Sequence, residues 1–244
     1  MPGLGWCLYY AVSSFGSPVS VIGLATTPSL AAPVWTDRGL VLRSGAGDGY
    51  NAIDPTLVED SAAAKAAATA PSYWLVFGSF WTGIKAVRID ASTGKVDASN
   101  ASVVALAQRA APDALEGAFL VARPDAHYLF VSWDFCCRGA ASNYSVHVGR
   151  STAGVQGPFV DRDGVAMLDG GGSLLVGGGF GWAAGGGPGL LRGSAQLRVS
   201  TMVLHAYDGE SGDPFMQLVD VEWGPDGWPA VVAAGGGPGA APAR

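Results

Sequence analysis

Two carboxylates stand where apolar runs begin, Asp54 in Asn51-Ala52-Ile53-Asp54-Pro55 and Glu116 in Leu115-Glu116-Gly117-Ala118-Phe119. Each run leads toward an aromatic strand, Tyr73-Trp74-Leu75-Val76-Phe77 after the first and Tyr128-Leu129-Phe130-Val131 after the second. Carboxylates carried by separate strands onto one aromatic-walled surface suit cleavage of a glycosidic bond. One protonates the departing oxygen while another activates water or attacks the sugar. Residue type alone leaves plainer readings open: a turn-capping aspartate before proline for Asp54, and a surface strand start for Glu116.

The other chemistry-bearing residues are weaker candidates. His147 alternates along a strand and reads as a packed residue rather than a ligand. His127, after Pro124-Asp125-Ala126, reads as solvent-facing in a hairpin turn. His205, inside the apolar run Met202–Tyr207, reads as buried and hydrogen-bonded. Cys7, Cys136 and Cys137 are too few and too badly spaced for a disulfide framework or a zinc site. The adjacent pair Cys136-Cys137 could close a vicinal disulfide, but the expectation is two buried reduced thiols. A net charge of −6, with 14 scattered Lys and Arg, argues against a nucleic-acid partner and is compatible with a neutral sugar. No apolar run reaches the roughly 18 to 20 residues that span a membrane. The first six residues lack the basic region and apolar core of a secretory signal, so localisation is unknown from this chain.

The elements that must position these residues are strands. Charged residues are only 14% of the chain and glycines number 37 of 244, which points away from helical bundles. A two-strand pattern recurs four times: Leu8–Val12 with Val21–Ala25, Trp74–Phe77 with Ile84–Ile89, Tyr128–Ser132 with Tyr144–Gly149, and Met202–Tyr207 with Met216–Val221. The spacing is irregular, on the order of a four-stranded propeller blade with variable loops, and Gly, Asp and Pro punctuate the runs. A β-sandwich with aromatic core strands is the rival. Residues 1–232 are expected to form one domain. Two segments carry no chemistry: Glu59–Ser72, an Ala-rich insertion read as a short helix or a loop, and 233–244, a low-complexity tail read as disordered.

The ordered motifs carry a resemblance. They are Leu8–Ser17, Ile22–Ala25, Asn51–Pro55, Phe77–Ile84, Phe135–Arg138, Val148–Ser151, Gly157–Asp161 and Leu204–Asp208. Together they resemble the endo-1,5-α-L-arabinanases of glycoside hydrolase family 43 from about Trp6 to about Val232. The resemblance implies an all-β, five-bladed β-propeller that hydrolyses α-1,5-linked arabinan with inversion through three carboxylates. It implies Glu116 as general acid and Asp54 as the residue that orients the acid and holds up its pKa, and it implies that Phe15, Phe80 and Trp81, with Asn51, border the sugar. The partner implied is a polysaccharide, arabinan of pectin side chains, with no nucleic acid and no membrane. Extracellular location is implied for a complete parent.

Departures from the family bear on function. Its base aspartate lies on a first blade that has no counterpart here, so the chain shows four blades of five and no residue is assigned the base. The family histidine linked through water to a cation falls by ungapped counting on Leu190, with Leu191 in the place of an asparagine. Leucine has no lone pair to offer, so no cofactor is assigned and weak or absent calcium or other cation binding is expected. The alternative reading is a carbohydrate-binding propeller without catalysis.

Overall fold

The computed structural model describes residues 1, 3–60, 71–179, 181–191 and 199–234. The tail from 235 onward and the centre of the Ala-rich insertion, 61–70, lie outside the described residues. The flanks of both segments are strand, however, where the sequence reading placed insertion and tail.

Fifteen strands form four antiparallel sheets among the described residues. The first sheet holds β1 (Trp6–Val12), β2 (Ser20–Thr27) and β3 (Thr36–Ser44). The second holds β4 (Thr56–Asp60), β5 (Ser72–Phe77), β6 (Ile84–Ile89) and β7 (Val104–Ala107). The third holds β8 (Leu115–Ala122), β9 (His127–Trp133), β10 (Ser145–Ser151) and β11 (Ser173–Val176). The fourth holds β12 (Trp182–Leu190), β13 (Val199–Asp208), β14 (Pro214–Trp223) and β15 (Pro229–Ala234). Each is a meander of sequential neighbours, so the sheets are four blades of an all-β propeller, not the two layers of a sandwich.

The second strands of the second and third sheets explain how the blades stack. Along β9, Leu129 and Val131 join a core with Trp74, Val76 and Leu115, while Tyr128 and Phe130 join a different core with Met202, Leu204 and Val221. Along β5, Trp74 and Val76 face the third sheet, while Tyr73, Leu75 and Phe77 pack with Ile22 of the first. Successive side chains point to opposite faces. A strand buried on both faces is therefore apolar along most of its length, which is why these runs do not alternate in the sequence. Each fully buried large side chain contributes roughly 1.5–3 kcal/mol.

Three cores thus join four sheets in an arc. The first sheet has three strands where the others have four, and its β1 leaves Trp6 43% and Leu8 48% exposed. The far face of the fourth sheet leaves Met216 72% exposed.

Phe130 is fully buried between the third and fourth sheets. Phe130→Ala should lower the unfolding free energy by about 3–5 kcal/mol, measured by urea denaturation. A change below about 1 kcal/mol would mean that this core does not hold the two sheets together.

Candidate active site

Glu116 lies second in β8, opposite Ser132 of β9, and the next described pair is Phe119 with Phe130. Gly117 and Ala118 therefore face Val131 alone. This bulge bends the strand and re-aims Glu116 toward the open end of the blade. Gly117 sits at φ 54°, a conformation that glycine adopts without strain. Its N–H points back across the seam between sheets and donates to Asp54 Oδ2 at 3.0 Å.

Asp54 itself sits at φ 54°, in the left-handed region that short polar side chains tolerate. It enters β4 from a loop tied by Gly78 N–H to the Ile53 carbonyl at 2.9 Å. Its carboxyl is partly accessible to solvent yet crowded by protein atoms. Burial, first, and the charge of Glu116, second, push its pKa up to about 6 against the opposing Gly117 hydrogen bond.

Three residues that the sequence reading passed over complete the cluster. Ser79, 3% exposed, donates from Oγ to Glu116 Oε2 at 2.9 Å. Ser132 Oγ accepts from Gly187 N–H at 2.8 Å, which ties β12 to the strand opposite Glu116. Tyr144 lies with its ring flat on Gly186, where a Cβ would come within 2.1 Å of the ring. Burial, then the charge of Glu116, holds its phenol well above the usual range, with Ser132 opposing the rise. Ser79 stands inside the quoted motif Phe77–Ile84, so its position could be read from sequence. Nothing marks Ser132 or Tyr144, because cross-strand register and inter-sheet contact are not local properties.

The aromatic candidates separate. Phe80 and Trp81 occupy the turn from 78 to 83 at φ 55° and 48°, and the Phe80 ring lies 6.2 Å from Phe135. Phe15 is fully exposed on the β1–β2 loop. Asn51 is buried, and its Oδ1 accepts from Ser20 Oγ at 2.6 Å, which anchors that same loop.

Other expectations are corrected. Cys136 and Cys137 are bonded as a vicinal disulfide, not reduced. They lie on the loop from β9 to β10, with Cys136 packed beside Tyr144, Ala184 and Tyr207 and Cys137 exposed. His127 is buried, its Nε2 3.2 Å from Asp60 Oδ1, because it is the first residue of β9 and not part of the turn. His205 is exposed. The two-residue period of β13 sends Met202, Leu204 and Ala206 into the core and His205 to the other face. His147 is packed on Trp133, ring centroids 3.6 Å apart.

The residues at the family's cation position do not fit an ion. Leu190 ends β12, pairs with Met202 and is buried in the core between the third and fourth sheets, while Leu191 is 50% exposed. Residues 192–198 lie outside the described residues. Among the described residues no group of three or more His, Cys, Asp or Glu could hold a metal ion.

The profile of the family described as Glycosyl hydrolases family 43 matches residues 4–229. The extracellular endo-α-(1→5)-L-arabinanase 1 of Bacillus subtilis is 41% identical over 224 residues, 91% of this chain and 64% of that protein. The extracellular exo-α-(1→5)-L-arabinofuranosidase of Cellvibrio japonicus is 35% identical over 243 residues, 92% of this chain and 65% of that protein. The chain thus spans just under two thirds of the length of these relatives. The solved structure of a family 43 endo-arabinanase from Bacillus licheniformis superposes with a TM-score of 0.83 at 39% identity, covering 93% of this chain and 73% of that one.

A carboxyl with a raised pKa stabilises the fold while it is protonated. The contribution is complete below the ordinary value of 3.8 and is lost as pH rises through about 6. At about 1.4 kcal/mol per pH unit the upper bound is about 3 kcal/mol, which partial solvent access reduces to about 1–2. Asp54→Asn should therefore leave stability nearly unchanged at pH 4 and raise it by about that amount at pH 8, read from urea midpoints. Equal effects at the two pH values would show that Asp54 is not raised.

Proposed function

Because the chain belongs to glycosyl hydrolase family 43, we propose that it is the acid-bearing part of a hydrolase acting on α-1,5-linked L-arabinan with inversion. The observation that carries this reading is the Asp54–Glu116 pair, held at the seam between two blades by the Gly117 N–H and by Ser79. Glu116 is the general acid. It is a methylene longer than Asp54 and is held by a hydroxyl, which can rotate as the carboxyl changes charge. Asp54, short and pinned by a main-chain donor, orients the acid and shares its electrostatics. Two carboxyls this close cannot both ionise without mutual repulsion, so the pair retains a proton further toward neutrality than an isolated carboxyl would. Phe80 and Trp81, with Phe15 and Asn51, border the sugar.

The base that activates water on the far face of the sugar is, in this reading, a carboxylate outside these 244 residues. It belongs to a fifth blade closing the ring between the first and fourth sheets. The three-stranded first sheet and the bare apolar residues on it and on the fourth sheet support that placement. Residues 1–232 belong to this one propeller domain. The substrate is arabinan of pectin side chains, met outside the cell, and no nucleic-acid or membrane partner is invoked. A second reading, sugar binding without turnover, draws on Leu190 at the position of the family histidine.

Azide can replace a missing base because it needs no deprotonation to attack. With α-1,5-linked arabinotriose and azide, the chain should form β-L-arabinofuranosyl azide, detected by mass spectrometry and NMR. Glu116→Gln should slow this at least about a hundredfold, since the leaving oxygen then departs unprotonated. Calorimetric binding of arabinotriose without azide product would favour the second reading. Product formed equally by the Glu116→Gln variant would overturn the role of Glu116.

A further inference from the structure

The turn from Gly78 to Gly83 touches both carboxylate-bearing segments. Gly78 N–H donates to the Ile53 carbonyl at 2.9 Å, one residue before Asp54. Phe80 N–H donates to the Leu115 carbonyl at 2.8 Å, one residue before Glu116. Between these two anchors Ser79 places its hydroxyl on Glu116. We infer that Ser79 is a positioning residue, carried on a strained brace, that holds the Glu116 carboxylate against Asp54. The inference rests on the reading of Glu116 and Asp54 as the acid pair.

The backbone of the turn is what a brace requires and a loose loop does not. Phe80 and Trp81 are consecutive non-glycine residues in the left-handed region, each at a cost of about 1 kcal/mol or more. Such strain persists only where the surroundings over-determine it. Gly78, at φ 126°, could not be replaced, because a Cβ there would come within 2.5 Å of the Gly83 carbonyl oxygen. Thr82 fastens the far side, its N–H and its Oγ1 both donating to the Gly49 carbonyl, at 3.1 and 2.6 Å.

Lys85 adds a further anchor. Its side chain is buried, burial lowers its pKa, and its Nζ donates to the Thr82 carbonyl. Burying an ammonium is costly unless it is hydrogen-bonded, and here the bond goes to the turn. Ser79 is likewise shut away from water, so little solvent competes for its bond to Glu116. A bond from hydroxyl to carboxylate is of the stronger, charge-assisted kind. The titratable groups that face Glu116 are Asp54 from the loop before β4 and Tyr144 from the loop before β10. Lys85 stands behind the turn.

Asp54 reports on this arrangement without any turnover, since part of its rise to about 6 comes from the nearby charge of Glu116. With aspartate labelled at the carboxyl carbon, NMR titration of the full chain should follow Asp54. In Ser79→Ala the Glu116 carboxylate is released, and the Asp54 midpoint should fall by about half a pH unit or more. Lys85→Met keeps the hydroxyl but frees the turn, and should lower the midpoint in the same direction by less. An Asp54 midpoint unchanged or raised in a folded Ser79→Ala variant overturns the inference. If that variant does not fold, Lys85→Met decides in the same way. The titration is independent of azide chemistry, so failure of the hydrolase reading and failure of the positioning role are seen separately.

Discussion

The site depends on keeping two like charges together at a seam between sheets. Asp54 belongs to the entry of β4 and Glu116 to β8, and the main-chain bond between them is the Gly117 N–H on Asp54 Oδ2. That bond has a fixed length only because the second and third sheets cannot slide. Trp74, Val76, Leu115, Leu129 and Val131 lock the seam from behind. Burial of Asp54, first, and the charge of Glu116, second, make the ionised pair costly, and the apolar burial behind it keeps the two carboxyls from moving apart.

The inner strands share one device for reaching the site. β8 is bulged after Glu116, and β12 is bulged after Gly186, where Gly187 and Pro188 face Leu204 alone. In both, the glycine at the bulge has positive φ and turns its N–H outward, Gly117 to Asp54 and Gly187 to Ser132. The glycines of β12 weaken it as a strand but let Tyr144 lie flat against Gly186. Ring contact and bulge together bring the fourth sheet to within one side chain of Glu116.

What could be read from the sequence follows the same division. The aromatic strands β5 and β9 announce themselves because burial on both faces makes them apolar along most of their length, β13 because its core-facing positions are apolar, and the carboxylates stand out because they break such runs. The strands β7 and β11 have four residues each, and β12 is mostly glycine and alanine, so none offers a pattern to recognise. His205 looked buried because its neighbours are apolar, yet the pleat turns it outward. His127 looked exposed because a turn precedes it, yet the first residue of β9 already lies inside. Ser79 was visible as part of a motif but silent about its role, since a serine in a turn commonly bonds its own backbone. Only the register of two separate sheets shows that its partner is Glu116.

The backbone strain of the fold is gathered at this end. The non-glycine residues with positive φ among the described residues are Asp54, Phe80, Trp81, Asp113, Asp134 and Cys137. All six lie on the connections that enter β4, β6, β8 and β10 or leave β5 and β9, which is the end of the blades where Glu116 stands. Strained conformations cluster where the surrounding structure is asked to hold groups in positions they would not choose. Here the cores between blades supply the rigidity, and the loops spend it on presenting a repelling pair of carboxyls and two aromatic rings at one opening. Relaxing those loops would favour folding while loosening the pair, so the same residues that lower the stability of the propeller hold the candidate pair in place.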